Sequence, residues 1–418
     1  MLLAVAMGAF YTGVTFGHHH HPHRSSADDA ALAAPPEGPG GPDLPKVLPP
    51  AAEFEPQSAL LLGCSGLPGG HVQVLMDIVA ATHRNVTLIG LVADEPQRRA
   101  VRELFRRHGY ADDVVRLVKV PQDSMWVRDY GPMFLRRSDG SVAVVDARYE
   151  VLGGPGRKRP QDDGVASWFA RQLSLPVVRL PLRLEWGNLL TNGEGVGFGG
   201  LKILREAAKT PKKAMRAVAA PLKEKLGLER LHFLKALQGD PTRHVDMFLT
   251  VVAKDTVVVG RCDPSDDPVS ADVLDRVANG LAKITTSRGP LKVHRIPMPP
   301  KHNGSWRTYT NVVFANGTLL MPTFSGVDPA LENEALSLYA RLLPGWKVVG
   351  INCDSLVSAH GYLHCVCMNV PSFVPSSKLI SELTAPTPSE PGLLQLLRWQ
   401  EGSGAPVSQR PLSGGTAR

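Results

Sequence analysis

Two thiols stand two residues apart in the stretch HGYLHCVCMNVP, His360 to Pro371, of a chain that has only five cysteines. Read as a strand, this stretch turns Cys365 and Cys367 to one face and His364 to the other, which makes His364 a poor general base for either thiol. A better-placed imidazole occurs in TRHVDMF, where His244 and Asp246 share one face of a strand start. Two more acids join the set, Asp129 in QDSMWVRDYGPMF and Glu185 in RLEWGNLLTNGEG. Carboxylates around a thiol raise its pKa and disfavour the thiolate unless a cation lies among them. The substrate is therefore expected to be that cation. A planar guanidinium meets the demand, because two carboxylates can each bridge its N–H fork while the carbon is held against sulfur. In the chemistry that follows, Cys365 attacks the guanidino carbon and protonated His244 assists departure of ammonia. His244 then activates a water that releases a neutral urea.

Metal binding is the competing use of these residues. His360, His364, Cys365 and Cys367 are dense, yet zinc requires ligands that converge on one point, and alternation along a strand separates them. No metal and no cofactor are expected. A disulfide between residues two apart would be strained, so Cys367 reads as a core thiol.

Residues this far apart in sequence need elements that bring them together. Apolar pairs joined by tight-turn residues occur four times: MFLRRSDGSVAVVD turning at Asp139 and Gly140, NLLTNGEGVGF at Asn192 and Gly193, MFLTVVAKDTVVVG near Lys254 and Asp255, and VVFANGTLLMP at Asn316 and Gly317. A polar residue heads each first strand, namely Asp129, Asn188, Asp246 and Asn311, and Cys365 supplies a fifth head. By subtraction these lie 59, 58, 65 and 54 residues apart. Helical periods such as VQVLMDIVAATH, QRRAVRELFRRHG, SADVLDRVANGLAKI and PALENEALSLYARLL alternate with β-branched runs such as NVTLIGLV and VVRLVKV. The reading is α/β: five hairpin-plus-helix units around an axis, with the strand heads converging at one end and closure bringing Asp129 to Cys365.

Length and composition set the outer bounds. With 418 residues and 43% apolar content the chain can bury a large core. Its net charge of +7 includes the cluster KTPKKAMRAVAAPLKEKLGLER, which has helical spacing, interspersed acids and no aromatic interleaving, so nucleic-acid binding is not expected. Residues 1–52 comprise an apolar segment, MLLAVAMGAFYTGVTFG, a histidine run and a Pro/Ala/Gly-rich linker. Membrane contact is expected only through residues 1–17: the protein is exported or anchored if that segment acts as a signal or span, and cytoplasmic otherwise. The folded domain is expected over residues 53–383, followed by a low-complexity tail, 384–418, with one short apolar helix candidate.

Together MWVRDYGPMF, EWGNLLTNGEG, RHVDMF, YTNVVFANGTLLMP and LHCVCMNVP resemble the bacterial peptidylarginine deiminase and agmatine deiminase family, in the right order from about Pro56 to Pro371. The resemblance implies the five-bladed pseudosymmetric α/β propeller of the guanidino-modifying enzymes, the penteins. It implies Cys365 as nucleophile, His244 as general acid and base, and Asp129 and Asp246 as the guanidinium carboxylates, with Glu185 supporting His244. Asn311 matches a site-lining asparagine and Trp126 a wall of the substrate slot, with Arg128 counted beside them as substrate-binding. Two departures put bulk where the family has glycine, Trp186 after Glu185 and Arg243 before His244, and both would narrow the site.

Substrate choice turns on GGPGRKRPQDD, a loop just past the first hairpin. It resembles the loop of the peptidylarginine enzymes whose two arginines, here Arg157 and Arg159, grip the carboxylate of a carboxyl-terminal arginine. The reading therefore leans to arginine at peptide carboxyl termini, or free arginine, giving citrulline and ammonia. Agmatine, giving N-carbamoylputrescine for putrescine biosynthesis, is the alternative. Amidino transfer to an amine, a cysteine peptidase and an inactive binding module are the remaining rivals.

Overall fold

The computed structural model describes residues 45–65, 71–149 and 159–384. The apolar amino terminus, the histidine run, Arg157 and the tail beyond residue 384 lie outside the described residues. Among the described residues no helix is long and apolar enough to cross a membrane.

All four expected hairpins form. Met133–Arg136 pairs antiparallel with Val142–Arg148, Leu189–Thr191 with Val196–Gly200, Leu249–Ala253 with Thr256–Arg261, and Val313–Ala315 with Thr318–Thr323. The second strand of each leads through helix and returns as a third strand parallel to it: Val177–Arg183, Arg230–Leu234, Lys292–Pro297 and Lys347–Asn352. The crossovers carry Val165–Gln172, Pro211–Leu226, Pro268–Leu281 and Pro329–Leu342. Two of these helices start on Asp-Pro pairs: Asp267 accepts from the Ser270 amide and Asp328 from the Ala330 amide, while the proline occupies the first turn, where no amide is needed.

The fifth unit is assembled from both ends of the chain. Cys367–Pro371 pairs antiparallel with Gln57–Gly63, which continues through Val72–Thr82 to the parallel strand Thr87–Val92 and through Glu95–Arg107 to Val115–Lys119. The middle strands are covered on both faces and read accordingly as unbroken apolar runs: Leu60 to Leu62, Ala143 to Val145, Val257 to Val259 and Leu319 to Met321 are all fully buried. Two large apolar clusters result, and Trp126 packs against both.

The strand heads take short tight structures before each first strand. Asp129 lies in the helical turn Val127–Tyr130, Asn188 in Trp186–Asn188 and Asp246 in Val245–Met247. Here one expectation is corrected. The strand expected through YLHCVCMNV begins only at Cys367, and Leu363 to Val366 form a turn closed by the Cys367 amide on the His364 carbonyl, 3.2 Å. Alternation therefore does not govern Cys365, which faces the site, while Cys367 is enclosed in the core with no exposed surface.

A second correction concerns the linker. From Pro45 onward the chain is folded and runs as a strap beneath the hairpins. The Leu48 amide donates to the Arg136 carbonyl at 2.9 Å, Glu55 lies 3.4 Å from Lys254, and Gln57 exchanges hydrogen bonds with the Asn316 side chain, both 2.9 Å. Within 45–52, Ala52 is buried, Val47 packs against an apolar cluster and Leu48 is held by its backbone, contacts that a Pro/Ala-rich composition does not announce.

Candidate active site

Cys365 is buried, and its sulfur meets polar atoms from two other units. Asn311 Nδ2 lies 3.5 Å from Sγ and Asp246 Oδ2 lies 3.9 Å away. Asn311 is itself fixed, since its Oδ1 accepts the His364 amide at 3.0 Å. Burial, then the carboxylates of Asp246 and Asp129, push the thiol well above its ordinary value, so the free site holds a neutral thiol. Trp126 covers it from one side. A Cβ on Gly361 would lie 2.5 Å from the Trp126 ring and 3.2 Å from the sulfur, so only glycine admits the indole this close.

The acids and the imidazole converge over one glycine of a second unit. A Cβ on Gly187 would lie 2.9 Å from Asp129 Oδ1, 2.9 Å from His244 Nδ1 and 3.0 Å from Asp246 Oδ2. His244 is buried between two carboxylates, with Nδ1 3.6 Å from Asp129 Oδ1 and Nε2 3.7 Å from Glu185 Oε2. Burial opposes its charge, but Asp129 and Glu185 outweigh burial and raise it to about 9. The imidazole is protonated at neutral pH. Asp129 goes up as well, to about 6, through burial and the neighbouring charges of Glu185 and Asp246, against the pull of His244. One oxygen on each of two acids, Asp129 Oδ1 and Asp246 Oδ1, is buried with no hydrogen-bond partner. Such atoms are costly unless a donor arrives.

Several participants escaped sequence reading. Lys202, buried on the helix Leu201–Ala207, donates to Glu185 Oε1 at 2.7 Å and with His244 holds that acid down at about 2 against burial. His364 Nδ1 is 2.8 Å from Asp246 Oδ2, and its Nε2 is 2.8 Å from Glu53 of the strap. Tyr149 adjoins the cleft: burial, then the Asp129 carboxylate, push its phenol far up. A lone Lys, Glu or Tyr carries no local pattern, and these are joined to the site only by the tertiary fold.

Three expectations change on geometry. Arg128 does not reach into the slot: its Nη1 donates to Glu53 at 2.7 Å, its Nη2 to Asn369 Oδ1 at 2.6 Å and its Nε to the Cys367 carbonyl at 3.0 Å. Every guanidinium nitrogen is spent inside the protein. Trp186 does not narrow the site, because its indole is buried and donates to the Gly131 carbonyl at 3.0 Å. Arg243 is exposed and adopts the left-handed backbone region, φ +57°, a conformation that favours glycine at that position. Of the two loop arginines, Arg159 is described, with Nη1 3.3 Å from the Tyr149 hydroxyl.

Comparison with known proteins bears on this assembly. The family described as Porphyromonas-type peptidyl-arginine deiminase matches residues 51–371. The chain belongs to that family. The deiminase is accordingly a hydrolase acting on carbon–nitrogen bonds of amidines. A solved structure of an arginine deiminase candidate from Porphyromonas gingivalis superposes with a TM-score of 0.67 at 28% identity, covering 78% of this chain and 99% of that one. The agmatine deiminase of Enterococcus faecalis gives the same TM-score, 0.67, at 22% identity over 78% of this chain and 96% of its own. In sequence, a protein of Photobacterium profundum named as a candidate agmatine deiminase is 24% identical over 356 residues, 77% of this chain and 95% of the relative. The fold is the mixed α/β pentein fold of these enzymes.

Proposed function

We propose that the deiminase hydrolyses the guanidino group of an arginine that carries a free carboxylate, through a covalent bond to Cys365. The observation that carries the reading is the pair of buried, unpartnered oxygens on Asp129 and Asp246 beside a thiol that no resident cation ionises. A guanidinium donates to both oxygens and supplies the missing positive charge. On its binding the thiol proton passes to solvent, and the Sγ–C bond forms. His244 delivers its proton to the departing nitrogen, the C–N bond breaks and ammonia leaves. Water then gives a proton to His244 and adds to the amidino carbon; the C–S bond breaks with its electron pair returning to sulfur, and the hydroxyl proton passes to that thiolate, restoring the thiol and releasing a neutral urea. Glu185, held ionised by Lys202, keeps His244 charged for the first half-reaction. Closure of the five sheets by Cys367–Pro371 and Gln57–Gly63 supports a five-bladed propeller, with the strand heads at one end of its axis.

The choice of a carboxylate-bearing substrate rests on Arg159, whose guanidinium adjoins Tyr149 beside Asp129, with Arg157 two residues before it. Agmatine has no carboxylate for these cations, and its ammonium would be opposed by them. The names of the relatives favour agmatine as the second reading. The deciding measurement is kcat/KM for a peptide ending in arginine, its carboxyl-terminal amide, and agmatine. It is made in wild type and in the Arg157→Ala, Arg159→Ala double variant, with ammonia as the product followed. Amidation should cost wild type most of its rate and the double variant little. If amidation has no effect on wild type, or agmatine leads in both proteins, the carboxylate grip is wrong and agmatine takes its place. Peptide cleavage, or amidino transfer without ammonia, would overturn the hydrolytic reading.

A further inference from the structure

Asp246 divides its work between two oxygens. Oδ1 is buried without a hydrogen-bond partner, while Oδ2 meets His364 Nδ1 at 2.8 Å and lies 3.9 Å from the Cys365 sulfur. On the far side of that ring, Nε2 lies 2.9 Å and 2.8 Å from the two oxygens of Glu53. Glu53 Oε1 in turn accepts from Arg128 Nη1 at 2.7 Å, and Arg128 is tied to the Cys367 carbonyl and Asn369. Asp246, His364 and Arg128 are 1%, 3% and 2% exposed, and the Glu53 side chain is 22% exposed, so the bond to Asp246 is shielded from water while the outer bonds to Glu53 are partly shielded. A neutral imidazole has one N–H; with a carboxylate at each nitrogen, only the doubly protonated ring satisfies both.

We infer that Glu53 and His364 are positioning residues: Glu53, anchored by Arg128, keeps His364 an imidazolium, and the imidazolium fixes the rotation of the Asp246 carboxylate, holding Oδ2 beside the Cys365 sulfur and leaving Oδ1 free for the guanidinium. The inference rests on the clamp role proposed for Asp246. Without the imidazolium, the Asp246 side chain has two soft torsions and its free oxygen has no fixed direction. The charged groups facing His364 are Glu53, Asp246 and Arg128, and the two acids outweigh burial and Arg128 to raise its titration. Removing the charge of Glu53 should let His364 lose a proton within the working pH range.

The test compares two alkylating agents on full-length protein, with modification of Cys365 followed by mass: 2-chloroacetamidine, whose cationic head imitates a guanidinium, and neutral iodoacetamide. Wild type should favour the cationic reagent. Glu53→Gln should lower the chloroacetamidine rate about tenfold, the size expected from loss of one charge-assisted hydrogen bond, and leave the iodoacetamide rate within about twofold. The deficit should widen from pH 6 to pH 9, and Glu53→Asp should recover part of it. His364→Gln, whose amide can donate to one acid but carries no charge, should show the same selective loss and serves if Glu53→Gln fails to fold. In turnover, KM for the guanidino substrate should rise more than kcat falls. Equal losses with both reagents, or a deficit independent of pH, would reduce Glu53 and His364 to a purely structural role and overturn the inference. A wild-type enzyme indifferent to the cationic head would instead refute the clamp itself, and this inference with it.

Discussion

Asp129 and Glu53 are both acids that meet a buried imidazole, yet they are driven in opposite directions. Glu53 has His364 at 2.8 Å and Arg128 at 2.7 Å; these outweigh burial and hold it down at about 2. Asp129 has His244 only at 3.6 Å, two acids nearby and one oxygen without a partner, and rises to about 6. Glu53 is fully paired, whereas Asp129 keeps an oxygen without a hydrogen-bond partner, which on the proposed function is left for a substrate cation. Stability is concentrated in the first and withheld from the second, which is how a cleft binds a charged ligand tightly without a permanent one.

Breaking the reactive side should give the largest effects. Cys365→Ser is expected to abolish ammonia release, while Cys367→Ser retains most of it, since the Cys367 thiol is enclosed and pushed up to about 12 by burial. Next, His244→Gln should lower kcat by about 10²–10⁴, the usual worth of a general acid and base, with substrate binding much less affected. Asp129→Asn should weaken substrate interaction by about 1.5–3 kcal/mol, one charge-assisted hydrogen bond, read as kcat/KM.

The smallest effects sharpen the contrast, because the two acids should alter stability with opposite sign. Asp129 binds its proton more tightly folded than unfolded, so its ionisation costs stability above about pH 6 and the cost vanishes as pH falls below its unfolded value. The free Asp129→Asn protein should therefore melt about 2–4 °C above wild type at pH 7.5, and the gap should close by pH 4. Glu53 binds its proton less tightly folded, so its contribution is present above its unfolded value, near 4.5, and is lost as pH falls toward 2. Glu53→Gln should melt below wild type at pH 7, with that gap closing in acid. Thermal melts across pH 3–8 read both, and gaps of the same sign would remove the distinction.

Much of this was legible in sequence. Turn pairs such as Asn316–Gly317 fix hairpins locally, and the spacing of their polar heads located Asp129, Asp246, Asn311 and Cys365, all of which the fold gathers around one thiol. The anchoring side was not legible. Glu53 and His364 lie 311 residues apart, and nothing near either in sequence marks the pair. Arg128 illustrates the same limit: its place beside Asp129 suggested substrate, whereas successive residues of the turn Val127–Tyr130 point in different directions and send it inward. Strand alternation does not decide the direction of His364, since Leu363 to Val366 form a turn; its ring nitrogens are instead turned to Asp246 and Glu53.

The unit made from both ends of the chain also sets an order on assembly. Among the described residues Gln57–Gly63 emerges early, but its antiparallel partner, Cys367–Pro371, emerges late. Throughout synthesis one edge of that strand stays open, with unpaired amides and carbonyls beside the fully buried run Leu60 to Leu62. Pairing across so long a loop is slow, and the nascent chain is at its most aggregation-prone until it is achieved. The same event delivers Cys365, so a partly made chain can gather the acids but lacks the thiol they surround.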